Sequence, residues 1–456
     1  MIVSLKITDL THAFKLYVLV ASTDSEDILS NYLILLTIKA YNRSSVAQIL
    51  KRSHIICSTL GVKDHRVVST SLTNNQLRIE LAAKKGRRLP CSICGKRSRP
   101  KDTLKQRQWR HVSLWGIPVV LCYCPRRVTC PDCGVKVEGI PWSMGKKPIS
   151  FPLITLLAFW ARQLPWDQVA KLFAVSWNTV RSAVDAAVAY GRAREDYRGV
   201  RFIGIDEVSR KKGHVYHTNV YDLERKRLLW SGANRDKDSL RRFFTWWGPE
   251  RTAALEGVCC DMWQNYIDVV HEYCKNAVLV FDKFHIIRHL MNAIDEVRRM
   301  EANVLADRGC EVLKKTRYLW LKNPWNLTPK QKIRLKDLLG MNLKIVKAYL
   351  LKELFRKLWN YHRKAWAAKY LKQWFWWATH SRIKPIRDFA WMLRRHEEGI
   401  LAYFDIRITN GLTEAMNNNA KVISHRARGY RSEKNYSLAL IHGLGKLELP
   451  QPQHRF

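Results

Sequence analysis

The chain has 456 residues, room for about three or four domains of about 100–200 residues each, which excludes a peptide regulator. Lys and Arg number 79 against 39 Asp and Glu, a net charge of +40, and such an excess repels itself in a compact body unless a polyanion offsets it. Nucleic acid is the partner this composition implies. No apolar run reaches the roughly 18 residues of a spanning helix. Phe14 to Ala21 is interrupted by Lys15, Tyr32 to Ile38 is followed by Lys39, and neither resembles an export signal. We therefore expect no membrane association and a reducing, cytoplasmic setting.

Residues 1–57 mix polar and apolar positions without a clear period and read as an arm with no assignable chemistry. A β-rich module is expected over 58–145. Arg66 to Leu72 and Leu77 to Ala82 alternate as two strands around Asn74-Asn75, followed by a basic linker, Lys84 to Arg88. Cys91-Ser-Ile-Cys94-Gly and Cys130-Pro-Asp-Cys133-Gly then form two knuckles. Each is a tight turn aiming two thiolates at one point, and four sulfurs complete a tetrahedral zinc shell. The stretch from Cys94 to Cys130 exceeds the roughly 15–20 residues of the simple spacing rule, and a strand pair over Trp109 to Cys124 would fill it. Cys122 and Cys124 lie on that strand pattern as packing residues.

Phe151 to Arg192 has a helical apolar period throughout. Within it, and within an expected DNA-binding domain over 146–195, Trp166 to Val184 fits a helix-turn-helix. Val169 and Phe173 point inward, small Ala170 sits where the helices touch, and Val180 and Val184 pack the second helix. Ser176, Trp177, Asn178 and Arg181 then face outward toward DNA. Ala174 occupies the turn position where Gly is common.

From Arg201 the pattern changes to short apolar runs that end in acid. Arg201 to Asp206 is one. His214 to Leu223 and Arg225 to Trp230 follow as strands, then a helix over Lys237 to Trp247. A strand from Ala253 ends at Asp261, Tyr266 to Cys274 reads as helix, and Ala277 to Asp282 is a third acid-capped strand. Strand, strand, strand, helix, strand, helix, strand is the order of an RNase H-like sheet. Far downstream, Asn410 to Lys421 reads as a helix start with Glu414, Asn417, Asn418 and Lys421 spaced by threes and fours. A strand-end Asp taken singly is more often a turn or cap residue. Asp206, Asp261 and Glu414 together would suit two hard divalent ions in an in-line phosphoryl displacement.

As a set, Leu60-Gly-Val-Lys-Asp-His-Arg-Val-Val, the two Cys knuckles with Pro125-Arg-Arg before the second, Gly204-Ile-Asp206-Glu, Asp261-Met, Phe281-Asp-Lys-Phe-His285, Asn410-Gly-Leu-Thr-Glu414-Ala-Met-Asn-Asn and Arg428-Gly-Tyr are specific. Over about residues 58–450 the chain resembles the ISL-three family of bacterial insertion-sequence transposases. The resemblance implies a multidomain α/β protein: a small β-rich zinc module, a helix-turn-helix, and over 196–450 an RNase H-like DDE catalytic domain with a helical insertion at about 290–403. It places the catalytic, magnesium-binding triad on Asp206, Asp261 and Glu414. It implies double-stranded DNA as partner, both transposon ends and target, and a homodimer or larger assembly in the bacterial nucleoid.

Two magnesium ions and one structural zinc are the expected cofactors, and no nucleophilic side chain is required. Asp282-Lys-Phe-His285 also resembles the acid-x-x-His element of related transposases, which makes Asp282 the alternative second carboxylate and His285 an auxiliary hydrogen-bonding or DNA-positioning residue. A catalytically inactive DNA-binding regulator, and a nuclease of the same fold that cuts without joining, stand as alternative functions. In the insertion, from Lys283, Trp359, Trp366, Trp374, Trp376 and Trp377 either pack helices or stack an unpaired base. Lys421, Arg426, Arg428 and Arg431 follow the glutamate as phosphate contacts.

Overall fold

A computed structural model describes residues 64–450 except 212 and 214, together with the backbone of two short strands, β1 (Ile2–Val3) and β2 (Val18–Leu19), which pair antiparallel. The rest of the arm over 1–57, the start of the β-rich module including Leu60 to Lys63, and His214 lie outside the described residues. The chain divides into two compact units, Met1–Ala187 with Leu449–Phe456, and Val188–Glu448.

The first unit contains two four-stranded sheets. In one, β3 (His65–Thr73) and β4 (Gln76–Ala83) join through Asn74 and Asn75, both at left-handed φ as a tight hairpin turn requires. The pair β7 (Arg107–Leu114) and β8 (Ile117–Tyr123) completes it in the order β3-β4-β8-β7. Its core is Leu77, Ile79, Leu81, Trp109, Leu121, Tyr123 and Trp142. The strand pair between the cysteine knuckles therefore belongs to this sheet and not to the knuckle sheet.

The knuckle sheet is built from β5 (Leu89–Pro90), β6 (Arg97–Thr103), β9 (Arg126–Cys130) and β10 (Gly134–Val137), ordered β10-β9-β6-β5. Strand β6, Arg-Ser-Arg-Pro-Lys-Asp-Thr, has no apolar alternation to announce it. The buried apolar cluster here is only Ala83, Leu89, Cys91, Val128 and Cys130.

The expected continuous helix from Phe151 is three helices: α1 (Phe151–Gln163), α2 (Trp166–Leu172) and α3 (Trp177–Arg194). Pro165 forces Leu164 into extended backbone, φ −122°, and ends the first. Between α2 and α3, Ala174 takes φ 47°, the left-handed conformation that favours glycine. Val169, Ala170, Val180 and Val184 are buried, while Phe173, expected to point inward with Val169, is half-buried.

The second unit is organised on a five-stranded sheet ordered β13-β12-β11-β14-β15. Strands β11 (Phe202–Lys211), β12 (Val215–Asp222) and β13 (Arg227–Ala233) pair antiparallel, while β14 (Gly257–Cys260) and β15 (Val278–Phe281) run parallel to β11. Helices α4 (Lys237–Trp247), α5 (Pro249–Ala253) and α6 (Gln264–Tyr273) connect them. The strand expected from Ala253 starts at Gly257, because Pro249 at the first helical position nucleates α5 across Ala253.

Helix α7 (Lys283–Ala306) opens the helical insertion, continued by α8 (Arg317–Leu321), α9 (Pro329–Leu339), α10 (Lys344–Arg356), α11 (Lys364–Thr379), α12 (Lys384–Arg395) and α13 (Glu397–Leu401). Its apolar faces are continuous with the core beneath the sheet. The chain then returns with α14 (Gly411–Arg426) and α15 (Glu433–Leu444). No helix among the described residues is long and apolar enough to cross a membrane.

Helix α14 lies against β11 where Gly204 offers no side chain. A Cβ there would stand 2.5 Å from Thr413 Cγ2 and 2.7 Å from Asn410 Oδ1. Gly204→Ala is therefore expected to destabilise the second unit by about 1–3 kcal/mol through overpacking, read as a lowered urea midpoint. An unchanged midpoint would show that α14 shifts freely.

Candidate active site and metal centre

In the β-rich module all four expected thiols converge. The sulfurs of Cys91, Cys94, Cys130 and Cys133 lie within 4.8 Å of one another, and a tetrahedral zinc–thiolate shell needs about 3.8 Å between sulfurs at bonds of about 2.3 Å. Gly95 and Gly134 follow the second cysteine of each pair at φ 73° and 71°, the left-handed turn that closes a knuckle. Burial alone would raise the Cys130 thiol. The backbone amides of Asp132 and Cys133, with Cys94, outweigh it and pull Cys130 down, while its sulfur neighbours push Cys133 up, so the metal-free cluster shares its protons unevenly. Cys122 is buried, Cys124 half-buried, and neither joins the cluster. These cysteines could hold a metal such as zinc.

The second constellation is set by strand register. Gly204 pairs with Cys259 across β11 and β14, and Cys260 with Phe281 across β14 and β15. The pairing ends there; Asp206 and Asp261 each lie two residues beyond the Gly204–Cys259 pair, and Asp261 and Asp282 each one beyond the Cys260–Phe281 pair. Adjacent strands lie about 4.8 Å apart, so the three carboxylates are delivered to one sheet edge. Asp206, Asp282 and Glu414 line a pocket of about 450 Å³ with Glu207, Arg235, His285, Arg288, Asn417 and Lys421. Asp261 does not line it, yet is close enough to raise both Asp206 and Glu207 by repulsion.

Asp206 is held from two sides: its Oδ1 accepts from Glu207 N at 2.8 Å and its Oδ2 from Asn417 Nδ2 at 2.8 Å. Asn417 is buried, and its Oδ1 accepts from Asn219 Nδ2 at 3.2 Å and from the Tyr221 hydroxyl. Two donors on that oxygen fix the amide so that its NH₂ must face the carboxylate. Glu414 sits one helical turn before Asn417 and is exposed at the pocket. Of the α14 face expected from spacing, Glu414, Asn418 and Lys421 are exposed while Asn417 turns inward.

Asp282 is committed differently. Its Oδ1 caps α7 by accepting from Phe284 N at 3.2 Å, and its Oδ2 bonds His285 Nδ1 at 2.9 Å. That bond, against the opposing effect of burial, raises His285 to about 9, so a cation faces the acids at neutral pH. Asp261 spends one oxygen, Oδ1, on Trp263 N at 3.1 Å.

Burial first, then repulsion among these acids, overcomes the Glu207 amide and His285 to push Asp206 up to about 6. Burial and Asp261 push Glu207 up to about 7 against Arg235. Glu207 Oε1 pairs with Arg235 at 3.0 Å while its Oε2 has no partner. Hard oxygen donors crowded under like-charge strain suit a hard divalent cation. Among the described residues only the four cysteines bring three or more ligand atoms within 4.8 Å. The carboxylates do not form such a group.

Glu207, Arg235 and the Asn219–Tyr221 pair were not among the residues expected from sequence. Glu207 directly follows Asp206, and that adjacency was the available signal. The remaining expected residues are dispersed. Ser176, Trp177 and Asn178 are exposed at the start of α3, where Ser176 Oγ accepts from Thr179 N at 3.1 Å, and Arg181 is half-buried. Lys421 lines the pocket, but Arg426, Arg428 and Arg431 are exposed at the far end of α14 and beyond. Arg426 is about 18 Å from Glu414 at 1.5 Å per residue. Trp374 is fully buried, Trp359 and Trp377 pack against the core, and Trp366 and Trp376 are exposed.

Comparison with known proteins matches residues 203–440 to a family model described as transposase. The chain is 30% identical over 354 residues to the transposase for insertion sequence element IS1001 of Bordetella parapertussis, covering 77% of this chain and 87% of that protein. It is 30% identical over 367 residues to the transposase for insertion sequence element IS1557 of Mycobacterium tuberculosis, covering 75% and 82%. The mixed α/β sheet with its carboxylate pocket and the four-cysteine cluster thus stand in a transposase, and the chain belongs to the ISL-three family of insertion-sequence transposases.

Two outcomes are expected. Cobalt(II) titrated into chelator-stripped protein gives a tetrathiolate absorption spectrum at one equivalent per chain, which Cys94→Ser shifts and weakens; no thiolate charge-transfer band would refute the centre. An acid raised by burial costs stability once ionised, so, on top of a pH-independent cost for the acceptor that an amide lacks, the gain of Asp206→Asn over wild type in EDTA is absent below about pH 4, where both states hold the proton. It grows as pH rises toward about 6 and is constant above. A pH-independent difference in urea midpoint would contradict the strained carboxylate.

Proposed function

We propose that this transposase binds the terminal repeats of its insertion sequence and catalyses metal-dependent DNA cleavage followed by strand transfer. In this reading the second unit is an RNase H-like domain, interrupted by the helical insertion, whose DDE triad is Asp206, Asp261 and Glu414. The observation that carries it is the alignment of acids at the ends of parallel strands, with Asn417 fastening the helix of Glu414 to Asp206.

Asp206, Asp261 and Glu414 would hold two Mg²⁺. When bound, such a pair activates the attacking oxygen and stabilises the leaving one. Asp261 is preferred to Asp282 as second carboxylate on sheet order, with its Oδ2 left free beside the bond from Trp263 N to Oδ1; Asp282, which lines the pocket, is the alternative. His285, protonated at neutral pH, offsets the acids and can hold a phosphate oxygen. Lys421 reaches the same pocket. Water opens the phosphodiester at the transposon end by breaking its P–O3′ bond, and the freed 3′ hydroxyl then attacks a target phosphorus, forming a new P–O3′ bond as the target's own P–O3′ bond breaks and releases a target 3′ hydroxyl. No covalent bond to the protein forms.

The residues 58–145 module holds zinc as a structural staple, and 146–195 reads the terminal repeat through Ser176, Trp177, Asn178 and Arg181. Arg426, Arg428 and Arg431 would contact phosphates flanking the cut. Holding two ends for joining calls for a dimer or larger assembly.

The deciding experiment compares wild type with Glu414→Gln on labelled terminal-repeat duplex in magnesium. Wild type is expected to nick and join, the variant to bind with unchanged affinity and lose at least 100-fold in cleavage, on the order of the loss of a residue acting on transition-state charge. Equal cleavage by both would remove Glu414 from the site, no cleavage by wild type would remove the enzyme assignment, and cleavage without joined product would leave a nuclease.

A further inference from the structure

Helix α7 begins at the carboxylate pocket and carries a basic face away from it. His285 and Arg288 line the pocket. At three- and four-residue steps along the same face come Asn292, Asp295 and Arg299. With Arg298 and with Arg317 of α8 these line a second, shallow basin of about 480 Å³.

The basin is organised around one acid. Asp295, whose side chain is 13% exposed, draws in three guanidiniums through their Nε atoms: Arg298 at 2.8 Å, Arg317 at 3.4 Å and Arg299 at 3.8 Å. One carboxylate is neutralised by one arginine, so the cluster keeps two positive charges in excess. Arg299 and Arg317 remain 64% and 55% exposed. An Asp that orients neighbouring arginines by Nε leaves their terminal nitrogens as forks, the shape that grips phosphate oxygens in pairs.

We propose that this face of α7 is a track for the backbone of one DNA strand leaving the carboxylate pocket, with the Asp295 cluster clamping a phosphate downstream. The proposal rests on the pocket being the phosphoryl-transfer site. Arg288 and Arg299 stand about 16 Å apart at 1.5 Å per residue, so the clamp grips about five base pairs from the reacting phosphate at 3.4 Å per pair. Its ligand is a phosphodiester and carries no base sequence.

The test uses the full chain, calcium in place of magnesium, and a 30-base-pair terminal-repeat duplex. Arg299→Ala combined with Arg317→Ala is expected to make the slope of log affinity against log salt shallower by about one, for the one phosphate released. Arg299→Lys with Arg317→Lys keeps the slope near wild type. On duplexes cut back to three base pairs on one side of the cleavage point, wild type and the alanine pair converge; trimmed on the other side, they stay apart. A wild-type slope in the alanine pair, with or without a lowered urea midpoint, would reduce the cluster to a brace between α7 and α8. Should the alanine pair not fold, Arg299→Ala alone decides: its affinity loss must persist on the duplex trimmed on one side and vanish on the duplex trimmed on the other, and an equal loss on both would overturn the clamp. Failure of the underlying function is separately visible as cleavage that survives Glu414→Gln, and a wild type that binds no DNA overturns both.

Discussion

Asn417 is fixed at both ends of its amide, and the candidate site depends on that. Its oxygen takes donors from Asn219 and Tyr221 of β12, which leaves its nitrogen no orientation but toward Asp206 on β11. The bond spans 211 positions of chain, so the loop-closure cost is met by packing elsewhere: Thr413 and Asn410 fill the space over Gly204, and Asn410 Nδ2 bonds Ile205 O at 3.1 Å. A buried amide left without one of these partners costs about 1–3 kcal/mol. The position of Glu414 is thus inherited from a polar network beneath it, and not from any contact of its own.

The same crowding that makes the pocket chemically useful makes it electrostatically expensive. Asp206, Glu207, Asp261 and Asp282 meet at one sheet edge, and the protein answers with Arg235 on Glu207 and His285 on Asp282. Arg235 is itself held between aromatic rings, 5.0 Å from Tyr216 and 4.5 Å from Trp263, which orders it without a second acid. These two counter-charges stand on Glu207 and Asp282, and no salt bridge among the described residues reaches Asp206 or Asp261.

Much of this was legible in the sequence, and what was hidden has physical reasons. Apolar runs ending in Asp206, Asp261 and Asp282 marked strands because parallel strands covered on both faces are continuously hydrophobic. The paired cysteines marked a metal centre because few other arrangements need that repeat. Strand β6 escaped notice because a sheet tied by sulfur does not need an apolar face. The split of the long helix at Leu164 was written in Pro165 and was outweighed by an unbroken apolar period. The inward turn of Asn417 could not be read from spacing, since three- and four-residue steps place it beside Glu414 on the helix without telling which edge of that stripe meets the sheet. The five tryptophans of the insertion divided in the same way, Trp374 buried and Trp366 exposed, because helical period alone does not say how many neighbours a helix has.

The insertion stands between β15 and α14, so the order of synthesis matters. A nascent or prematurely terminated chain that stops before residue 411 holds the strand-end acids but has neither Glu414 nor the amide that orients Asp206. On the proposed assignment such a fragment would lack one carboxylate of the site, and the second unit completes the pocket only when α14 has folded back onto β11.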